Sequence, residues 1–467
     1  MNIEPMMLKK FLGESRTIQA TSNISEEFIV TGISTDTRSL QKGEVFIALQ
    51  GEHFDGHDFL KTAIERGAAA LVISQAHRLT AGMDTLPILR VTDTLAFLME
   101  YASWYRSQFS VQIIALTGST GKTTCKEILA SVLSRKYRII KTPLNLNNFI
   151  GVSLSLLQLQ KNVEVGIIEM GTNHPGEIAT LTGMVRPTQA AITNIGSGHI
   201  GFFGSRQAIF QEKKTLLDGV TSGGKIYLNL EDEFLKNYKR PDVAIITYGL
   251  RENCTYQATL VRIDQWGHVC FSINHGPEIR VSLPGRHQLL NALLAGSVGM
   301  ELGVPVTEIK EVLETAIATD KRMELQNRQG VTIINDAYNA NPESLRAAID
   351  FLESYSVTKN SRKFLVVGDM LELGEFSTDE HRRIGHYLQD KKIDFVFCLG
   401  PFSRLIVEEL QKEKNHSIHS EIFTSHQDLA RELNQRVREN DIVLIKGSRG
   451  MSMEKVLDYL DIKDTVC

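Results

Sequence analysis

Thr117-Gly118-Ser119-Thr120-Gly121-Lys122-Thr123-Thr124 is the stretch of this chain best equipped for chemistry. Its two glycines let the backbone curl closely around an anion. The N–H groups of such a turn, running into a helix N-terminus, point at that anion. A lysine at the helix start reaches terminal phosphates, and the hydroxyl of the next threonine can ligate Mg²⁺. These residue types in this order bind a nucleoside triphosphate. The loop is shorter than the common phosphate loop: two residues, not four, separate Gly118 from Gly121-Lys122.

The elements that must carry this loop are legible on both sides of it. Val111 to Leu116 is an apolar run of buried-strand type. Cys125, Ile128, Leu129, Val132 and Leu133 recur at the spacing of one helix face. In open α/β sheets, ligands bind beyond the carboxyl ends of strands, so the residues just after each strand are the next candidates. Glu169 closes the run Val165-Gly166-Ile167-Ile168, and His199 ends Asn194-Ile195-Gly196-Ser197-Gly198. Mg²⁺ prefers oxygen ligands, which suits Glu169 better than an imidazole. From position alone, Glu169 is either a metal ligand or a strand-end carboxylate, and His199 either a ligand or a loop histidine.

The 467 residues are 42% hydrophobic and 23% charged, as in an ordinary globular protein. A net charge of -4 gives no electrostatic case for nucleic acid or an anionic membrane as partner. No apolar run is long enough to span a bilayer, and Met1 to Gly13 lacks the apolar core of a signal peptide. Cys125, Cys254, Cys270, Cys398 and Cys467 show no paired metal spacing and no disulfide framework. Reduced thiols and a cytoplasmic protein are expected.

Three α/β blocks are expected. Residues 1–93 hold short strands at Glu44 to Leu49 and Ala70 to Ser74, with a helix near Phe59 to Arg66. Residues 94–319 open with a helix at Thr94 to Ser107 and continue with strands at Val163 to Glu169 and Gln189 to Asn194. Such alternation implies a mainly parallel sheet. Val243 to Leu283 alternates apolar and polar residues and reads as antiparallel ribbons, followed by a helix at Leu289 to Leu302. Residues 320–467 form a Rossmann-like pattern, with strands at Val331 to Asn335, Phe364 to Gly368, Phe395 to Leu399 and Ile442 to Ile445. One of its helices carries Leu345, Ala348, Ile349 and Leu352 on one face.

The short loop, Thr-Gly-x-x-Gly-Lys-Thr-Thr, resembles that of the Mur ligase family, and the likeness extends over essentially the whole chain. Ser34-Thr35-Asp36-Thr37-Arg38 and Asp55-Gly56-His57-Asp58-Phe59 resemble a UDP-binding block. Asn145-Leu146-Asn147-Asn148, Glu169-Met170-Gly171 and His199 resemble the central block. Asn335 to Pro342, Gly368 to Gly374 and Lys446-Gly447-Ser448-Arg449 resemble the dipeptide-adding branch of the family. The Asp-Asn-Pro-Arg motif of diaminopimelate-adding members is absent.

The resemblance implies a set of roles. Gly118, Ser119, Thr120, Gly121, Lys122, Thr123 and Thr124 would hold the ATP phosphates. Thr123 and Glu169 would bind one Mg²⁺, and His199 would help bind a second. Asn291 would contact adenine, while Arg322 and Asp336 would reach ATP from the third block, Asp336 through the ribose. Lys213 takes the position of a carbamylated lysine that helps hold the second Mg²⁺, with Lys214 as the alternative, since Glu212-Lys213-Lys214-Thr215 departs from the usual Ala-Lys-x-Glu. Carbamylation needs a neutral amine, which burial or nearby cations supply. Lys122, Lys213 and His199 are the expected catalytic residues. Substrate would be bound by Ser34, Asp36, Arg38, Asn147, Asn148, Tyr338, Asn339 and Asn341. The implied activity is ATP-driven amide formation: addition of D-Ala-D-Ala to UDP-N-acetylmuramoyl-tripeptide through an acyl phosphate, in peptidoglycan synthesis. A monomer is expected. Another amide ligase of the superfamily, diaminopimelate-adding or folylpolyglutamate-forming, is the alternative.

Overall fold

Asp93 starts the first long helix: its carboxylate accepts from the N–H groups of Leu95 and Ala96 at 2.8 and 2.9 Å, the capping that orphan donors at a helix start require. The helix runs Thr94–Ser107, as its periodicity predicts, and buries Phe97, Leu98, Tyr101, Ala102 and Tyr105. Its last turn carries Arg106, which is buried and donates to three backbone carbonyls: Val185 at 3.0 Å, Phe109 at 2.7 Å and Val111 at 3.1 Å. This fork fixes the entry to the strand Gln112–Thr117 that leads into the phosphate loop. Replacing Arg106 by Met keeps the buried stem but orphans three carbonyls. Unfolding free energy, measured by urea titration, is expected to fall by about 3 kcal/mol.

The computed structural model describes residues 5–15, 18–22, 30–51, 54–79, 86–317, 321–358, 360–412 and 417–461. Cys467 and the expected boundary at residues 319 and 320 lie outside them. Among the described residues the strands form three sheets, of five, nine and six strands, and the fold is α/β with mostly parallel pairing. Two compact units divide the chain. One comprises 1–115, 137–172 and 178–189; the other comprises 116–136, 173–177 and 190–467. The phosphate loop and the third block of the sequence therefore fall within one unit.

In the first unit, Gly32–Ser34, Glu44–Ile47, Ala70–Ser74 and Ile88–Val91 pair in parallel, and Ile18–Ser22 adds antiparallel to the last of them. The expected helix near Phe59 is a 3₁₀ turn, Gly56–Phe59, followed by Leu60–Glu65. Ile139–Lys141 and Val165–Glu169 form a second parallel pair.

In the second unit the phosphate-loop helix Lys122–Leu133 packs on Gln288–Glu301. Their approach depends on Gly299, where a Cβ would meet Val132 Cγ1 at 2.5 Å. The segment 243–283 departs from the expected antiparallel ribbon. Its first strand, Ala244–Gly249, pairs in parallel with Lys225–Asn229 on one side and with Tyr256–Ile263 on the other. Only Tyr256–Ile263, His268–Ile273 and Ile279–Pro284 are antiparallel to one another. Alternation reports one covered face, not the direction of the neighbour. The six-stranded sheet has the order Glu324–Arg328, Val331–Asp336, Ile442–Lys446, Lys363–Gly368, Phe395–Leu399, His419–Phe423. All its pairs are parallel except the first. Helix Pro342–Ser354 buries Leu345, Ala348, Ile349 and Leu352.

Candidate active site

The phosphate loop is held open by its neighbours rather than by its own side chains. Gly121 adopts φ +78° at the helix N-cap, a left-handed conformation that glycine reaches without Cβ strain. Thr193 Oγ1 donates to the Thr120 carbonyl at 2.6 Å. A Cβ at Gly118 would lie 1.9 Å from that same oxygen. Asn194 accepts from the Thr120 N–H at 3.1 Å and donates to the Thr120 carbonyl at 3.1 Å. The Ser119 N–H donates to the Asn194 carbonyl at 3.0 Å, and the Ser119 hydroxyl accepts from Gly196 N–H at 2.8 Å. Lys122 folds back, its ammonium donating to the Gly118 carbonyl at 2.7 Å.

Asn291 lies against the loop: its Oδ1 would be 2.7 Å from a Cβ at Gly121, and its amide donates to Gln288 at 3.0 Å. Arg322 Nη2 donates to Thr123 Oγ1 at 3.2 Å. Its guanidinium stacks on Tyr338, 3.9 Å from the ring centre, a cation–π contact that orients the fork. Asp336 ends its strand beside Lys446, which ends the adjacent one. Their side chains pair at 2.6 Å, and Asp336 also accepts from Met323 N–H at 3.1 Å. Lys446 donates as well to the Asn339 carbonyl at 2.9 Å. The unit thus brings together the loop, Asn291, Arg322, Asp336 and Tyr338.

The two candidate lysines separate cleanly. Lys213 is buried, 1% exposed. Burial, reinforced by the charge of Lys122, holds its amine well below the usual lysine range. Lys214 faces outward and pairs with Asp218 at 2.6 Å. His199 has a left-handed backbone, φ 64°, and its Nδ1 lies 2.9 Å from Glu372 Oε2. The preceding Ser197 donates through both N–H and hydroxyl to Glu343 Oε1, at 3.0 and 2.8 Å.

In the first unit, Glu169 is fully buried and accepts from Asn147 Nδ2 at 2.8 Å. Asn148 caps the helix Phe149–Leu156 by accepting from Gly151 N–H at 3.0 Å. Asn341 of the second unit does the same for Pro342–Ser354 through Ser344 N–H at 2.9 Å. Both asparagine oxygens, expected on substrate, serve as helix caps, while Asn339 is exposed. Arg38 grips Asp36 at 3.0 and 2.6 Å, and holds its carboxyl below the usual range. The Ser34 hydroxyl donates to the Asp36 carbonyl at 2.9 Å. Sequence reading missed Thr193, Asn194 and Lys446 as site residues. Each lies just past or at the end of a strand, the position that Glu169 also takes.

This arrangement, a triphosphate loop with an arginine and a buried amine converging on it, defines a nucleotide-driven transfer site. The Mur ligase middle domain matches residues 116–299, the Mur ligase glutamate ligase domain 321–449, and the Mur ligase family catalytic domain 29–103. The chain belongs to the Mur ligase family and is an ATP-dependent ligase that forms a C–N bond. UDP-N-acetylmuramoyl-tripeptide–D-alanyl-D-alanine ligase of Bacillus subtilis is 35% identical over 93% of this chain and 94% of its own length. MurF from Acinetobacter baumannii superposes with a TM-score of 0.86 at 29% identity, covering 98% of this chain and 99% of its own. MurF ligase from Thermotoga maritima, solved in complex with ADP, gives 0.79 at 29% identity over 93% and 98%.

Proposed function

We propose that this chain joins D-alanyl-D-alanine to UDP-N-acetylmuramoyl-tripeptide at the expense of ATP, a step of peptidoglycan synthesis in the cytoplasm. The observation that carries this reading is a likeness that runs through all three blocks. The loop alone speaks for ATP, whereas the outer blocks carry substrate choice.

In this reading residues 1–93 take the UDP moiety through Ser34, Asp36 and Arg38, residues 94–319 hold ATP, and residues 320–467 contribute Arg322, Asp336 and the 338–341 turn. The tripeptide carboxylate attacks the γ-phosphorus, and ADP leaves. The dipeptide amine then attacks the acyl carbon, gives up a proton, and phosphate leaves. Two anions must meet in the first step. Lys122 and Arg322 offset their repulsion and stabilise the charge that spreads over the transferring group. The stacking of Arg322 on Tyr338 supports this role. Asn291 supports the adenine end. Asn147 and Asn148 order the loop before Phe149, and Asn339 is left as the exposed polar group for the dipeptide.

Mg²⁺ suits the Thr123 hydroxyl, a hard oxygen beside the phosphate loop. Among the described residues no three His, Cys, Asp or Glu side chains cluster as a metal cage, so its other ligands would be phosphate oxygens and water. When bound it neutralises charge on the phosphates. Lys213, a buried amine of lowered basicity, is the type that captures CO₂. Its carbamate, with His199, would hold a second ion.

The test is phosphate release. It is expected only when UDP-N-acetylmuramoyl-tripeptide and D-Ala-D-Ala are both present with ATP. Release with a UDP-dipeptide and a diamino acid would move the chain to the diaminopimelate-adding members. Absence of release with every pair would remove the ligase assignment.

A further inference from the structure

Arg322 reaches the phosphate loop from a short strap, Lys321-Arg322-Met323, that is bent on both sides of it. Lys321 and Met323 have left-handed backbones, each with φ 54°. Residues with a Cβ keep that conformation only where their surroundings over-determine it. Residues 336–338 supply part of the hold. Tyr338 N–H donates to the Lys321 carbonyl at 3.1 Å, and Met323 N–H donates to Asp336 Oδ1 at 3.1 Å. Met323 is also buried. Lys321 is held in addition by its side chain. Its Nζ donates to Glu454 Oε1 at 3.0 Å, and the same oxygen accepts from Arg449 Nη1 at 2.7 Å. The Lys321 and Glu454 side chains are only 24% and 20% exposed, so salt screens their attraction less than it would at an open surface. The two partners lie 133 positions apart, and no local motif announces the contact.

We infer that Glu454 is a positioning residue for Arg322 and acts through Lys321. The ion pair holds residue 321 in its left-handed bend. That bend turns the next side chain toward Thr123 Oγ1, 3.2 Å away, and onto the Tyr338 ring. Without the pair, Lys321 relaxes toward the right-handed or extended backbone that a residue with a Cβ prefers, and Arg322 leaves the loop. The inference rests on the phosphate role proposed above for Arg322.

The left-handed backbone at residue 321 makes the test specific, because glycine takes that conformation at no Cβ cost. Affinity for a non-hydrolysable ATP analogue with Mg²⁺ is measured by titration calorimetry on the full chain, with no ligation substrate added. Arg322→Ala is expected to weaken binding about tenfold. Glu454→Ala and Lys321→Met break the ion pair and keep a Cβ at 321, and each weakens binding about fivefold. Lys321→Gly stays within about twofold of the parent, since the bend no longer needs its anchor. Glu454→Ala adds nothing in the Lys321→Gly or the Arg322→Ala background. A contact that merely supported folding would not be rescued by glycine. A loss below about twofold in Glu454→Ala, a Lys321→Gly chain as weak as Lys321→Met, losses that multiply with Arg322→Ala, or no binding of the analogue by the parent chain would each overturn the inference. If Glu454→Ala fails to fold, Lys321→Met against Lys321→Gly carries the same comparison. Failure of D-Ala-D-Ala-dependent phosphate release would strike the proposed substrates and leave the binding result standing.

Discussion

Lys122→Ala loses ligation by about a thousandfold or more while its melting temperature stays within a few degrees of the parent. The size follows from the reaction. A carboxylate must approach a triphosphate, and a preorganised cation aimed at developing charge is worth orders of magnitude in rate. The retention of structure follows from the loop's construction. The bonds that shape it come from Thr193, Asn194 and Gly196. The lysine's ammonium donates to the Gly118 carbonyl, which water can serve when the ammonium is gone. The check is a pair of measurements on one preparation: phosphate release at saturating substrates, and thermal unfolding. Turnover within tenfold of the parent would contradict the assignment of this loop to the triphosphate.

The second large effect concerns Lys213 and runs in opposite directions for activity and stability. A buried amine held below its ordinary range binds fewer protons folded than unfolded. The unfolded state therefore gains protons relative to the native state between the depressed value and 10.5, the ordinary lysine value. In that window stability rises with pH and is lost as pH falls, because acid favours the chain that can charge the lysine freely. Lys213→Met removes the titrating group and keeps the volume. It is expected to lower ligation by at least a hundredfold and, in CO₂-depleted buffer where the amine is free, to raise stability near neutral pH and flatten the dependence of stability on pH below 10.5. Denaturant titrations at three pH values, alongside phosphate release, decide it. A destabilised variant with the parent's pH slope would show that the lysine is charged and paired in the fold.

How much of the molecule is legible in its sequence depends on range. The phosphate loop is a local device: strand, turn and helix adjoin in sequence, so Val111 to Leu133 gives it away without a tertiary contact. The helix Thr94–Ser107 is legible for the same reason, with its cap at Asp93 and its apolar stripe within one short stretch. Lys213 and Lys214 are neighbours with identical side chains, and only the packing of helix Arg206–Asp218 buries one and leaves the other half-buried. Asn148 and Asn341 look like ligand-binding amides in sequence, yet each precedes a helix and caps it. The signal is present in Asn341-Pro342, a cap followed by proline at the first helical position, and the motif draws attention away from it. The grip of Glu343 on Ser197 joins residues well over a hundred positions apart, beyond the reach of periodicity. The strand Glu324–Arg328 escapes a sequence reading because its alternation is nearly all polar, as an edge allows.

The crowding at Gly118 also bears on how this sequence can drift. The hydroxyl of Thr193 fills the space that any side chain at position 118 would need, and it is the group that holds the Thr120 carbonyl. Shortening residue 193 to admit a larger 118 would release the loop, so the obvious compensating change undoes what it is meant to rescue. Two positions 75 residues apart, as their numbers show, are thereby tied as one heritable unit. The route to a different loop is closed in single steps from either side.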